Sequence, residues 1–502
     1  MDKYKVIVWI FMCGLVTLSL YDDIFSHSVD FAHHYALVSR IFDYGYHFPS
    51  QDPSLGEMNY YPRYTHALAA YIGIIFGSPV IGMQIVIFLS LFTIWGCLIY
   101  ILHSLPIRAF QISIILFAVI FVVLHEFGFV VFGNEVVANF AFAQLFAQAI
   151  VLTLITIALF LEKNQSPKIF AYFILGSGAL IVEGAHLLPA VELYGFLALL
   201  VLFDLFLRGS KEASKYIVSV VLLCLLGFLI LKHPTYKAMS EIASNNGGLA
   251  ITRINGIGQL LALVGSVLLL SCGLLFGWAI LFSKKTQHNT LSIKYVSLLG
   301  ISISLLCLSQ VILLKFGHGS EYACYKYIFG LDVILLFDII LIPIVLLRKL
   351  WDLDLSPPVI DLKRSIFVDY LASPCLMLLV FFVLLYKAQS ISVKDLYFLE
   401  QSARASKLPG IYLMPNKFNY AVIGKPGADS LFSYTISIGV FQAPRDQEMR
   451  SILEGNKLYS LSKAYQIFTS VGSDYDLIRC HERMFAKRYI LEYASCISSE
   501  LH

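Results

Sequence analysis

Apolar runs of 16 to 27 residues recur along this chain, and no other feature restricts its fold so sharply. About 20 apolar residues are what an α-helix needs to cross a hydrocarbon core of roughly 30 Å. Within lipid, only helices and closed barrels satisfy their own backbone. Composition agrees: of 502 residues, 58% are hydrophobic and 14% charged, and mean hydropathy is +0.76. Soluble proteins carry about 25% charged residues. These figures exclude a disordered chain, a fibrous repeat and a cytosolic enzyme. The net charge of +3 is too small and too scattered to indicate a nucleic-acid partner. The chain reads as mainly α, a polytopic transmembrane helix bundle whose first partner is the lipid bilayer.

The runs predict about 11 spans, at 5–21, 79–102, 108–132, 140–161, 169–185, 187–207, 216–231, 256–282, 295–314, 327–347 and 366–386. The first begins with Lys3 and Lys5, and no small-x-small cleavage site precedes Tyr21-Asp22-Asp23, so it is expected to stay as an anchor. Lys and Arg then set the orientation. Inner segments hold Lys3, Lys5, Arg108, Lys163, Lys168, Arg208, Lys211, Lys215, Lys284, Lys285, Lys294, Arg348, Lys349, Lys363 and Arg364. Outer loops before 387 hold Arg40, Arg63, Lys237, Arg253, Lys315 and Lys326. The N-terminus is therefore expected in the cytoplasm. Region 169–207 has basic clusters at both ends, which predicts a tight hairpin and not one long helix. The stretch 64–77 is too short to span and suits a helix at the interface.

An odd span count divides the chain into a membrane domain, 1–386, whose first outer loop is 22–65, and an extracytoplasmic domain, 387–502. The latter has ordinary soluble composition. Gly410–Met414, Tyr420–Ile423 and Tyr434–Phe441 read as strands, and 446–454 and 477–494 as helices, which predicts a small C-terminal α/β domain. Cys480 and Cys496 share it, and an oxidising compartment would permit a disulfide between them.

Chemistry in such a protein should appear as ionisable groups gathered at one membrane surface, because burying them in lipid is costly. The first outer loop has Asp22, Asp23, Asp30, Asp43, Asp52 and Glu57. It also has four of the chain's thirteen histidines, His27, His33, His34 and His47, and His66 follows closely. Ser28–Arg40 reads as a short helix on which Asp30, His33 and His34 share a face. Two readings of Asp30 stand together: a general base helped by His33 or His34, and a helix N-cap. No standard metal-ligand spacing occurs.

Next, Tyr60-Tyr61-Pro62-Arg63 forms an aromatic, Pro-pinned turn carrying a cation suited to phosphate. Outer positions Glu126, Glu135, Glu183 and Glu192 read first as solvated helix ends. Phe316–Tyr327 gathers His318, Glu321, Tyr322 and Lys326. There the lysine is either snorkelling or a counter-charge to a lipid-linked phosphate. Asp332 and Asp338 must face the bundle interior.

The N-in span, the outer loop with Asp30, His33 and His34, the Asp43-Tyr-Gly45-Tyr turn, Asp52-Pro53 and Tyr60-Tyr61-Pro62 together resemble the GT-C superfamily of membrane glycosyltransferases. The likeness covers about residues 1–105, with an echo at Tyr322–Lys326, and the layout is similar to the bacterial aminoarabinose and mannosyltransferase type. The chain has Tyr-Pro-Arg where many relatives have Tyr-Pro-Pro, and no Asp-Glu or Asp-x-Asp pair. A need for a divalent metal therefore stays open.

The resemblance implies an inverting transferase that moves a sugar from a polyprenyl-phosphate carrier to a glycan or lipid acceptor at the outer face. Asp30 would be the base. Tyr61, Arg63, His318, Glu321 and Lys326 would contact substrate or phosphate. The location implied is the cell membrane, with the C-terminal domain outside (periplasmic in a bacterium). A lipid-linked oligosaccharide polymerase, a flippase of lipid-linked sugar and a non-catalytic scaffold are the rival readings.

Overall fold

The computed structural model describes residues 25–26, 28–48, 51–105, 107–208, 213–234, 236, 254, 256–281, 290–318, 320–351, 379–380, 390–391, 393–406, 420–423, 428–456 and 489–492. The chain is mainly helical and forms two units. One comprises 1–19, 88–135 and 143–387, and the other 20–87, 136–142 and 388–502. The second unit's last segment begins at Ala388. That unit also takes in the first outer loop, which the sequence reading assigns to the membrane domain.

In the first unit, helices lie where apolar runs predict them. They are α3 (Pro79–His103), α4 (Ile107–Glu126), α6 (Phe142–Lys163), α7 (Lys168–Glu183), α8 (Leu187–Arg208), α9 (Ala213–Lys232), α10 (Ile257–Leu281), α11 (Leu291–Lys315) and α13 (Ile328–Trp351); α3 begins in the second unit. Among the described residues, six stretches are long and apolar enough to cross a membrane: Pro79–His103, Phe142–Lys163, Leu187–Leu207, Ile257–Leu281, Leu291–Lys315 and Glu321–Leu346. The expected spans 5–21 and 366–386 lie outside the described residues.

The hairpin expected at 169–207 is present as α7 and α8, which turn at Gly184–His186. An ion cluster gives an independent check on helix direction. The ammonium of Lys294 lies 2.7 Å from Glu162 and 3.2 Å from Asp204, and Lys168 lies 2.5 Å from Asp204. Tyr172 and Tyr295 donate to the same two carboxylates. Glu162 and Asp204 are at the ends of α6 and α8, and Lys168 and Lys294 at the starts of α7 and α11. Four helix ends that the basic residues assign to one side therefore meet. Asp332 and Asp338 face inward, accepting from Val130 N–H at 3.0 Å and Ser271 Oγ at 2.7 Å.

The second unit is built around α1 (Val29–Tyr44). Ser28 caps it, its hydroxyl accepting from Asp30 N–H, and Gly45 ends it at a φ of 81°, which an L side chain rarely adopts. Every residue from Phe31 to Ile41 is buried, each large apolar one contributing about 1.5–3 kcal/mol. One flank packs on α15 (Ala428–Gly439), where Ser39 donates to the Gly439 carbonyl and a Cβ on Gly439 would meet the Tyr35 ring at 2.3 Å.

The other flank packs on α2 (Tyr64–Phe76), which buries Thr65, His66, Ala69, Ala70 and Gly73 and exposes Tyr64, Leu68, Tyr71 and Ile75. At 13 residues it is about 20 Å long. Its length and its exposed apolar stripe suit a helix lying along a bilayer.

A third helix, α14 (Val393–Ser406), is held by the fully buried Glu400. That carboxylate accepts from Tyr35 OH, Ser78 Oγ and Arg404 Nε. Arg404 also pairs with Asp43 at 2.6 Å and donates to Ser39. Two short antiparallel pairs, Phe25–Ser26 with Ser390–Ile391 and Tyr420–Ile423 with Tyr489–Glu492, complete the described strands.

Two C-terminal expectations are corrected. Tyr434–Phe441, expected as a strand, lies mostly in α15; its alternation is misleading because Leu431–Val440 is buried on all sides, which removes the helical period from view. Tyr489–Glu492, expected within a helix, is a strand. Residues 446–454 do form a helix, α16 (Gln447–Leu453). The strand expected at 410–414 and the Cys480–Cys496 pair fall outside the described residues.

Candidate functional site

The sequence-predicted site residues fall into two groups, one in each unit. In the second unit, Asp30 stands partly exposed on the first turn of α1. The N-cap reading of Asp30 is overturned, because Ser28 occupies that position; the acid follows within the first turn, where a negative charge is favoured. The other described acids of the loop each meet an arginine: Asp52 pairs with Arg40, Asp43 with Arg404 and Glu57 with Arg445. The first pair closes the loop on itself, and the other two tie it to Arg404 on α14 and to Arg445.

His33 and His34 take different partners. His33 Nε2 lies 3.2 Å from the Tyr434 hydroxyl, and its Nδ1 lies 3.6 Å from Glu57. Burial, reinforced by Arg445, pushes its imidazole down to about 3, so it is neutral. His34 Nδ1 lies 2.8 Å from His66 Nε2. His66, fully buried on α2, is likewise pushed down to about 3 by burial, and its Nδ1 faces the Pro62 carbonyl at 3.1 Å.

Tyr61 covers both rings edge-on, with centroids 5.3 Å from His34 and 5.5 Å from His66. Phe140 and Phe142 close other sides. Phe140 does so at a φ of 54°, a strained conformation for a bulky residue and one that clusters at functional sites. Arg63 is half-buried; it lies over Phe48 and donates to the Tyr46 and Asn59 carbonyls, with further N–H groups remaining on the guanidinium.

In the first unit, Ser320 caps the short helix α12 (Glu321–Lys326), whose first turn holds Glu321. Lys326 ends it, only 7% exposed, with its ammonium 4.4 Å from the Tyr322 ring centre. A snorkelling lysine would carry that charge into water, so the snorkelling reading does not fit. His318 lies exposed on the turn after α11.

Beside Lys326 are groups the sequence reading undervalued. Glu135, on α5 (Asn134–Asn139), is buried and accepts from Gly133 N–H at 2.7 Å. Burial pushes its carboxyl up to about 7, with Lys326 opposing the shift. Gln144 donates to the Lys326 carbonyl, and Gln148 and Glu192 are buried near by. Glu135, Glu183 and Glu192 are thus not solvated helix ends, although Glu126 is. Their type could be read from the sequence. Their burial depends on which helices neighbour them.

The second-unit group holds a partly exposed carboxylate at a helix start and a buried pair of imidazoles, His34 and His66, beyond it, an arrangement able to move a proton. Among the described residues no group of three or more His, Cys, Asp or Glu side chains is arranged to hold a metal ion. No protein-family profile, curated protein or solved structure matches the chain.

Proposed function

We propose that this chain is an integral-membrane, inverting glycosyltransferase of GT-C type. It takes a sugar from a polyprenyl-phosphate carrier and passes it to a glycan or lipid acceptor at the outer face. The fuller architecture belongs to the same proposal: about eleven spans, a cytoplasmic N-terminus and an extracytoplasmic C-terminal α/β domain.

The observation that supports it best is α1 itself. It sets the partly exposed carboxylate of Asp30 on its first turn, on the same helix as His34 of the buried histidine pair. Asp30 would take the proton from an acceptor hydroxyl as that oxygen attacks the anomeric carbon, and the carrier phosphate leaves with the bonding electrons. Arg63 offers donors to such a phosphate, and Lys326 is a second cation of that kind. His33 and His34, on the same helix as Asp30, would assist it, and the contacts of His33 to Tyr434 and Glu57 would also hold α1 in place.

Sugar transfer measured in membranes with wild type, Asp30→Asn and Asp30→Ala tests the reading. Loss of a general base lowers the rate by about 10²–10⁴-fold. Equal rates in all three would refute it.

A carrier that moves lipid-linked sugar is the second reading, favoured by Glu192 and Asp338, which are buried within apolar helices. It predicts that Asp30→Asn keeps full activity while Glu192→Gln or Asp338→Asn abolishes movement.

A further inference from the structure

Two contacts fix the hydrogen positions of the His34–His66 pair from one end. At His66, Nδ1 faces the carbonyl oxygen of Pro62. A carbonyl only accepts, so Nδ1 carries the hydrogen. His66 is fully buried and held neutral by that burial, so it has a single N–H. Its Nε2 is a bare lone pair, and the atom facing it at 2.8 Å, His34 Nδ1, must donate.

The ring geometry agrees. The centroids are 5.1 Å apart and the planes are inclined by 15°. That separation is the N···N distance extended by the two ring radii, so the rings meet edge to edge in nearly one plane. The N–H points straight at the lone pair, the strongest arrangement for such a bond. The groups around the pair are Tyr61, Phe140 and Phe142 in ring contact, Arg63 acting on His66, and Asp30 and His33 on the same helix as His34.

We propose that His66 is a positioning residue: with the Pro62 carbonyl it sets the hydrogen of His34 on Nδ1, and so makes Nε2 the nitrogen through which His34 accepts a proton. This use of the pair rests on the glycosyl-transfer reading. Helical side chains lean toward the helix start, so the His34 ring covers the turn that begins at Asp30. A proton taken from the acceptor hydroxyl by Asp30 can pass to His34 Nε2. The hydroxyl oxygen's electron pair forms the bond to the anomeric carbon, and the bond from that carbon to the phosphate oxygen breaks with its electrons going to phosphate. His34 then carries the positive charge, and its Nδ1–H bond to His66 becomes charge-assisted and stronger. His66 gains no proton, acting as the third group that orients a base.

The test uses the full chain in lipid bilayers with ¹⁵N-labelled histidine, read by solid-state NMR; the His34 signals are identified by subtracting the His34→Gln spectrum. His66→Gln places an amide oxygen where Nε2 stands and keeps an acceptor, whereas His66→Leu removes it. The expected result is a bare Nε2 on His34 in wild type and in His66→Gln, lost in His66→Leu. Transfer should then fall by roughly 10²–10⁴-fold in His66→Leu, the range for proton transfer or a misplaced tautomer, and be rescued in His66→Gln. A bare Nδ1 on His34 in wild type, or an unchanged tautomer in His66→Leu, overturns the proposal. Should His66→Leu fail to fold, the wild-type and His66→Gln spectra decide alone. If the tautomers behave as stated but Asp30→Asn transfers at the wild-type rate, the functional reading falls and the positioning role stands.

Discussion

Replacing His66 with glutamine removes a titratable ring from the interior while keeping the reach and polarity of the side chain, and its consequence should appear as a slope against pH. His66 is fully buried, and its folded value lies at about 3 against an ordinary 6.5. Between those two pH values the unfolded chain holds a proton that the fold refuses. The stability gained by keeping the ring neutral is present in full above pH 6.5 and is lost as the pH falls toward 3. The loss is about 1.4 kcal/mol per pH unit, or roughly 5 kcal/mol across the window.

The variant lacks this term, while other titrating groups are common to both proteins and cancel in the comparison. Hydrogen exchange by mass spectrometry on peptides from α1 and α2, in lipid nanodiscs from pH 7.5 to 4.5, gives the opening free energy of this unit directly. Below pH 6.5 the wild type should weaken relative to His66→Gln by about 1.4 kcal/mol per unit. A constant offset with parallel curves would show that His66 is not a neutral ring in the fold, and the assigned hydrogen-bond direction would fail with it.

Four further outcomes are expected. Arg404→Met leaves Glu400 buried without its cation and should destabilise the unit by about 3–5 kcal/mol, with Glu400→Gln in the same chain restoring part of the loss in chemical denaturation. Gly439→Ala puts a methyl group against the Tyr35 ring and should cost about 1–3 kcal/mol by the same measurement, because backbone and ring must move apart. Ser28→Ala removes the cap of α1 and should cost about 1 kcal/mol. Asp30→Ala removes the first-turn charge, whose helix-dipole interaction is worth about 0.3–1 kcal/mol, while its effect on transfer should be far larger, so stability and transfer activity should separate at these two neighbouring positions.

The helical layout was legible because crossing lipid demands long apolar runs, and basic residues mark their ends. The α7–α8 hairpin and the inward-facing Asp332 and Asp338 follow from that rule alone. Helix α1 was legible from Ser28, Asp30 and Gly45. The failure at Tyr434–Phe441 has the opposite cause: α15 is enclosed by its neighbours, so its β-branched residues carry no exposed face to betray a period. The site was half legible. Asp, His and Arg in one loop could be counted, but which acid is tied to which arginine depends on Arg404 and Arg445, some 350–390 positions away. The same distance hid the division of labour between His33, which bonds to Tyr434, and His34, which bonds to the nearby His66.

The bond from Ser39 to Gly439 joins residues 400 positions apart. A ribosome adding about 5–20 residues per second needs roughly 20–80 s to make that stretch. Throughout that interval Tyr35 and Ser39 have been synthesised but have no α15 to lie against, so the first loop must wait, sticky and half-dressed, until that helix emerges. Biogenesis of this protein should therefore depend on something that shelters an early segment for a late partner, and a ribosome stalled before residue 390 would leave a product with an exposed, protease-sensitive front end.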